Sequence, residues 1–152
     1  MTYLPDVNIW IALAAERHTH HRVARHWFGN LQDEKLAFCR VTQLGFLRLL
    51  TNKHVMQEEV MSPNEAWQAY RALRLDRRIG YEADPDELLE TWQPFTEGPR
   101  TSPHLWTDAY LCAFANAASP GQSQAAIVSG GEGLGPEQGG DQGKKSESTV
   151  HG

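Results

Sequence analysis

Short apolar runs alternate with stretches of helical periodicity through the first 118 residues. A chain patterned this way buries its apolar surface as a parallel sheet flanked by helices. Residues 2–6 are the first expected strand. Pro5 is confined to its end or to a sheet edge, because proline brings no N–H to a ladder. Helices are expected over 8–15 and 19–31. In the second, Ala24, Trp27, Phe28 and Leu31 fall at i, i+3, i+4 and i+7 and form one buried stripe. The run 36–41 suits a buried strand, and helix-spaced apolar residues return at Phe46, Leu47, Leu49 and Leu50.

Ser62-Pro63-Asn64-Glu65 opens the next helix. Serine caps, proline takes the first helical position, and the glutamate reaches back to the cap. That helix carries Ala66, Ala69, Tyr70 and Leu73 on one face. Asp84-Pro85-Asp86-Glu87 repeats the device with an aspartate cap and predicts a shorter helix to about Trp92. Thr107-Asp108 opens a last helix that buries Tyr110, Ala113, Phe114 and Ala117. The pattern stops near Ser119. Residues 119–152 hold nine of the thirteen glycines and no aromatic side chain, and read as a Gly-rich flexible tail behind a domain of residues 1–118. Within the tail, residues 125–129 are apolar enough for a weak strand.

At 152 residues the chain has the size of one domain. No apolar run nears the roughly 20 residues that span a bilayer, and the first residues lack the basic-then-apolar order of a signal peptide. No membrane association and a cytoplasmic location are therefore expected. The formal net charge of −5 argues against coating nucleic acid by bulk electrostatics, but suits an enzyme whose acids hold a cation. Cys39 and Cys112 show no metal-ligand spacing and read as reduced thiols.

Asp6 stands where the first strand hands over to a helix. It is either the cap of that helix or a ligand at the carboxyl end of a parallel sheet. Asp108, in a first helical turn, suits the macrodipole, for which a structural role suffices, yet lying opposite the Tyr110 stripe leaves its carboxylate free to point toward a cleft. His18, His20, His21 and His26 match neither i, i+4 ligation nor a zinc finger and read as a solvated turn before a helix. Arg71, Arg74 and Arg78 form a basic stripe that Glu65 and Asp76 can neutralise. Arg48, inside an apolar helix, either places a charge beside the cleft or snorkels. No glycine-rich phosphate loop, serine elbow or Cys-His pairing is present.

Leu4-Pro5-Asp6-Val7-Asn8, Val41-Thr42-Gln43-Leu44-Gly45-Phe46-Leu47-Arg48-Leu49-Leu50-Thr51-Asn52 and Leu105-Trp106-Thr107-Asp108-Ala109-Tyr110-Leu111 occur in that order. Together they resemble the PIN-domain ribonucleases, specifically the VapC-type toxins of toxin–antitoxin systems. The resemblance implies an α/β/α sandwich with a central parallel sheet and acids gathered at its carboxyl edge. It implies Asp6 and Asp108 as catalytic ligands of Mg²⁺ or Mn²⁺, supported by Gln43 where the family usually has a glutamate. Asn8, Arg48 and Thr107 would then stand beside the ion or the RNA. Laid on the family's last strand and turn, residues 127–134 put Gly131 in place of the final acid, with Glu132 beside it. Replacement of the ancestral ending by another reading frame would leave such a break at Ser119.

The implied function is that of a metal-dependent endoribonuclease with an RNA substrate, a VapB-type antitoxin and a homodimeric state. The alternative is a catalytically impaired PIN-like protein that mainly binds its antitoxin. Two acids are fewer than the usual set, and loss of the last strand would bare a sheet edge. An α/β metal-dependent phosphatase is a third reading, but the chain has no nucleophilic aspartate motif for it.

Overall fold

Four parallel strands form the sheet of the computed structural model, which describes residues 1–118 and the backbone of Ala125–Val128. They are β1 (Thr2–Pro5), β2 (Lys35–Phe38), β3 (Ile79–Tyr81) and β4 (Ala125–Val128), in the spatial order β3-β2-β1-β4. The α-helices among the described residues are α1 (Val7–Ala14), α2 (His21–Asn30), α3 (Arg40–Leu50), α4 (Lys53–Met56), α5 (Pro63–Arg74), α6 (Leu88–Thr96) and α7 (Leu105–Ala117).

The period of two along each strand sorts the side chains into two cores. Tyr3, Leu36 and Phe38 point to the layer of α1, α2, α3 and α5, where Trp10, Phe46, Tyr70 and Leu73 meet them. Leu4, Ala37 and Cys39 point to the other layer, against Leu88 of α6 and Tyr110, Leu111 and Phe114 of α7. Each fully buried Leu or Phe contributes on the order of 1.5–3 kcal/mol. The expected α/β/α sandwich is thus present, with the sheet as its middle layer.

Several local expectations change. The strand expected over 36–41 stops at Phe38. The Cys39 N–H donates to the buried Thr42 Oγ1 at 3.0 Å, which caps α3 and draws Arg40 and Val41 into it. Asp84 does not cap α6, which starts later at Leu88. Its Oδ1 instead accepts the Tyr110 hydroxyl at 2.5 Å. Ala117 is half-buried. Strand β3 has no counterpart in the sequence reading, since Ile79-Gly80-Tyr81 is too short to show a period. The capping box at Ser62 is as expected, with Ser62 N–H donating to Glu65 Oε2 at 2.7 Å and Glu65 N–H to Ser62 Oγ at 3.3 Å.

The weak strand read in the sequence is β4. It runs beside β1 from Thr2↔Ala125 to Pro5↔Val128, downstream of the boundary expected at residue 118. The edge of β1 that would otherwise lie bare is covered. Readings that concern the rest of the tail, including its flexibility, Gly131 and Glu132, lie outside the described residues.

Two features of the fold yield tests. A Cβ at Gly45 would sit 2.7 Å from Val7 Cγ2, so the absence of a side chain lets α3 approach the start of α1. Val7 is stiff at χ1 and cannot swing aside. Gly45→Val therefore lowers stability by about 1–3 kcal/mol, read by chemical denaturation.

The expected basic stripe is also broken, because α5 ends at Arg74. Arg74 donates to the Tyr70 hydroxyl at 2.9 Å. Arg78, in the following turn, donates to the carbonyls of Phe28 and Leu31 at 3.1 and 3.0 Å. It also pairs with Asp76 at 2.8 Å and lies 4.0 Å from the Phe28 ring centroid. This side chain ties the end of α2 to the start of β3. Hydrogen bonding from Arg78 holds the Asp76 carboxyl below its usual range. A depressed carboxylate adds stability above its unfolded pKa, near 4, and loses it as pH falls through the lower folded value. Arg78→Met should cost about 1–3 kcal/mol at pH 7, with exposure of the pair keeping the loss toward the lower figure. The gap from wild type should narrow in denaturation curves below about pH 4.

Candidate active site

Because all four strands are parallel, their carboxyl ends share one edge. The chain leaves β1 into α1 on one face and enters β4 from α7 on the other, which sets a topological switch point between β1 and β4. Asp6 follows Pro5 at that point. It is half-buried, its backbone is extended, and Oδ1 accepts the Ile9 N–H at 3.0 Å. The helix-cap reading of Asp6 is therefore correct.

Asp108 is exposed in the first turn of α7. It lines an open pocket of about 540 Å³ with Thr101, Ser102, Leu105 and Cys112. Burial, and then the charge of Asp108, pushes the Cys112 thiol up from its ordinary value. One turn further along α7, Leu111 packs with Leu4, which lies two residues before Asp6. The two acids stand at helix starts, Asp6 capping α1 and Asp108 in the first turn of α7. Also on α7, the Tyr110 hydroxyl is held protonated far above its usual range by burial and by its bond to Asp84.

The other expected residues divide. Asn8 is exposed on the first turn of α1 and Thr107 is half-buried beside Asp108. Gln43 is buried, and its Oε1 accepts Arg40 Nη1 at 2.5 Å. Arg48 is exposed on the same helix, but its five-residue offset turns it about 140° from Gln43. The two do not share a face. The histidines build no metal site. His21 Nδ1 bonds the Ala12 carbonyl at 2.7 Å, at the end of α1, and His18 Nδ1 accepts the His20 N–H at 3.1 Å. Burial, then His20 and His21, lowers the His18 pKa.

Among the described residues no three His, Cys, Asp or Glu side chains converge as a metal cluster. Two carboxylates still suit a hard cation of the Mg²⁺ kind, which takes one or two carboxylates and completes its shell with water and phosphate oxygens. Arg40 is a residue the sequence reading passed over. It occupies the first turn of α3, just past the end of β2, and its Cζ lies 5.2 Å from the Tyr81 ring centroid at the end of β3. A cation directly after a buried apolar run was the available signal.

No protein-family model matches the chain. It is 44% identical over 117 residues to ribonuclease VapC41 of Mycobacterium tuberculosis, spanning 74% of this chain and 80% of the relative. The chain belongs to the VapC ribonuclease family. A second VapC relative from that organism, ribonuclease VapC38, is 34% identical over 109 residues, or 68% of this chain and 74% of its own. The fold agrees. The crystal structure of M. tuberculosis VapC20, described as a sarcin–ricin-loop-cleaving toxin, matches with a TM-score of 0.55 at 16% identity, over 75% of this chain and 81% of that one. The PIN-like sandwich is thus common to this VapC chain and its structural neighbour.

Proposed function

We propose that this protein is a metal-dependent endoribonuclease toxin of the VapC type, which hydrolyses RNA phosphodiester bonds and is neutralised by a VapB-type antitoxin. The observation that carries the reading is the 44% identity to a VapC ribonuclease, supported by Asp6 capping α1 just after β1 and by Asp108 in the first turn of α7. Asp6 and Asp108 would hold Mg²⁺ or Mn²⁺. Such an ion, when bound, neutralises charge on the scissile phosphate and acidifies a water. Asp6 reaches its place because capping α1 fixes its side chain at the switch point. Asp108 reaches its own because α7 packs on Leu4. Asn8 and Thr107 lie in the same helical turns and contact the RNA or ordered water there.

A single-stranded or loop RNA suits the site, since splayed bases enter an open cleft more readily than a duplex does. The chain acts in the cytoplasm as a homodimer, and its toxin domain is centred on residues 1–118. Among the described residues no helix is long and apolar enough to cross a membrane.

The impaired alternative draws on the lack of a three-carboxylate cluster among the described residues. It loses one support, because β4 covers the sheet edge at β1. Incubation of purified protein with a labelled single-stranded RNA, in Mg²⁺ and in EDTA, decides between them. Cleavage in Mg²⁺ alone that added antitoxin suppresses is the expected result. Antitoxin binding with no cleavage in either buffer would establish the alternative.

A further inference from the structure

We propose that Arg40 is the phosphate-binding residue of this site and that Gln43 anchors it instead of ligating a metal. The inference rests on the ribonuclease reading above and adds a substrate contact to it.

Position is the first argument. β1 and β2 pair with Tyr3 opposite Leu36, and that register carried forward puts Asp6 opposite Cys39 on the neighbouring strand. Neighbouring strands lie about 4.8 Å apart, so Arg40 enters α3 one strand over from Asp6 at the carboxyl edge, with its guanidinium turned toward Tyr81 of β3. Arg48, the arginine singled out by sequence, lies on another face of α3.

Its hold is the second argument. A guanidinium only donates, so Gln43 turns its carbonyl oxygen toward Arg40, and the 2.5 Å contact occupies one of that oxygen's two lone pairs. A divalent cation beside that guanidinium would meet like charge. Gln43 is buried and fixed by packing, and the Tyr81 ring supports the guanidinium at 5.2 Å. Such an arginine is preorganised before substrate arrives.

Chemistry is the third argument. Arg40 is exposed, and Gln43 uses only part of its five-donor fork. That fork matches two oxygens of a phosphodiester. An enzyme of net charge −5 whose acids flank the cleft needs a local cation to hold a polyanion. Neutral glutamine also has a reason here, since a glutamate at position 43 would pair with Arg40 and cancel its charge.

The test is fluorescence anisotropy of a labelled single-stranded RNA, titrated at several KCl concentrations in EDTA, which withholds the metal that cleavage requires. Wild type, Arg40→Ala, Arg40→Lys and Gln43→Glu are compared, each with its melting temperature. Arg40→Ala should weaken binding about tenfold and reduce the slope of log K against log salt by about 0.7, the value for one phosphate on a single strand. Arg40→Lys should keep the slope and recover part of the affinity, and Gln43→Glu should weaken binding by neutralising Arg40. An Arg40→Ala protein that binds within twofold of wild type with the same slope overturns the proposal. Unchanged RNA affinity in Gln43→Glu overturns the anchoring role. A wild-type protein that neither binds nor cleaves RNA would remove the ribonuclease reading itself, whereas wild-type cleavage with an indifferent Arg40 would remove this inference alone.

Discussion

Asp6→Asn should leave the melting temperature unchanged while lowering RNA cleavage by about a thousand-fold or more. The two halves of that result have separate causes. Asparagine caps a helix as well as aspartate does, so the bond from the Ile9 N–H to the side-chain oxygen at position 6 survives. What disappears is the negative charge proposed to hold the ion, and a neutral amide holds a hard cation poorly. Asp6→Ala loses both roles. It should be inactive and also less stable by about 1 kcal/mol. Comparison of the pair, by cleavage of a labelled RNA and by thermal melting, separates the cap from the ligand. Full cleavage by Asp6→Asn would show that the residue is only a cap.

The largest effect on stability is expected at Trp10. Its indole is completely buried and stacks on Phe38, with ring centroids 3.7 Å apart and planes 13° from parallel. Phe46 and Tyr70 meet the same phenylalanine edge-on at 5.6 and 5.0 Å. Trp10→Ala should destabilise the protein by about 3–5 kcal/mol, because the rigid sheet beneath cannot collapse into the space. At a few degrees per kcal/mol, the melting temperature should fall by on the order of 10 °C or more. Trp10→Phe should cost less, since it keeps the stack and removes a buried Nε1–H that has no hydrogen-bond partner among the described residues. Equal losses for the two variants would mean that the aromatic stack does not hold this core.

Much of the architecture is written locally. Alternating apolar runs and helix-period stretches predict the parallel sheet, and Ser62 and Glu65 announce α5 through a cap that depends on neighbours in sequence. β3 escaped because three residues show no periodicity, and it exists only through its pairing with β2. Asp84 carries a helix-cap signature, but the Tyr110 hydroxyl, 26 residues away, bonds it instead. Arg78 lies in phase with two arginines of α5, yet it leaves the helix to bond carbonyls at the end of α2. In each case a partner distant in sequence outweighed a local preference of about 1 kcal/mol.

The candidate site divides in the same way. Asp6 and Asp108 were legible because each sits at a helix start, and a helix start has a sequence signature. Arg40 was not, because its meaning depends on Gln43 one helical turn away and on Tyr81 at the end of another strand. By itself the sequence determined the alternation of strands and helices and the family resemblance, and it nominated two acids at helix starts, all of which follow from short-range pattern. Only the tertiary structure decided that β4 closes the sheet beside β1, and that a guanidinium engages the oxygen offered by Gln43. The first depends on strand register, which pairs residues far apart in the chain and leaves no mark at either position alone; the second depends on how α3 turns two side chains three residues apart toward each other.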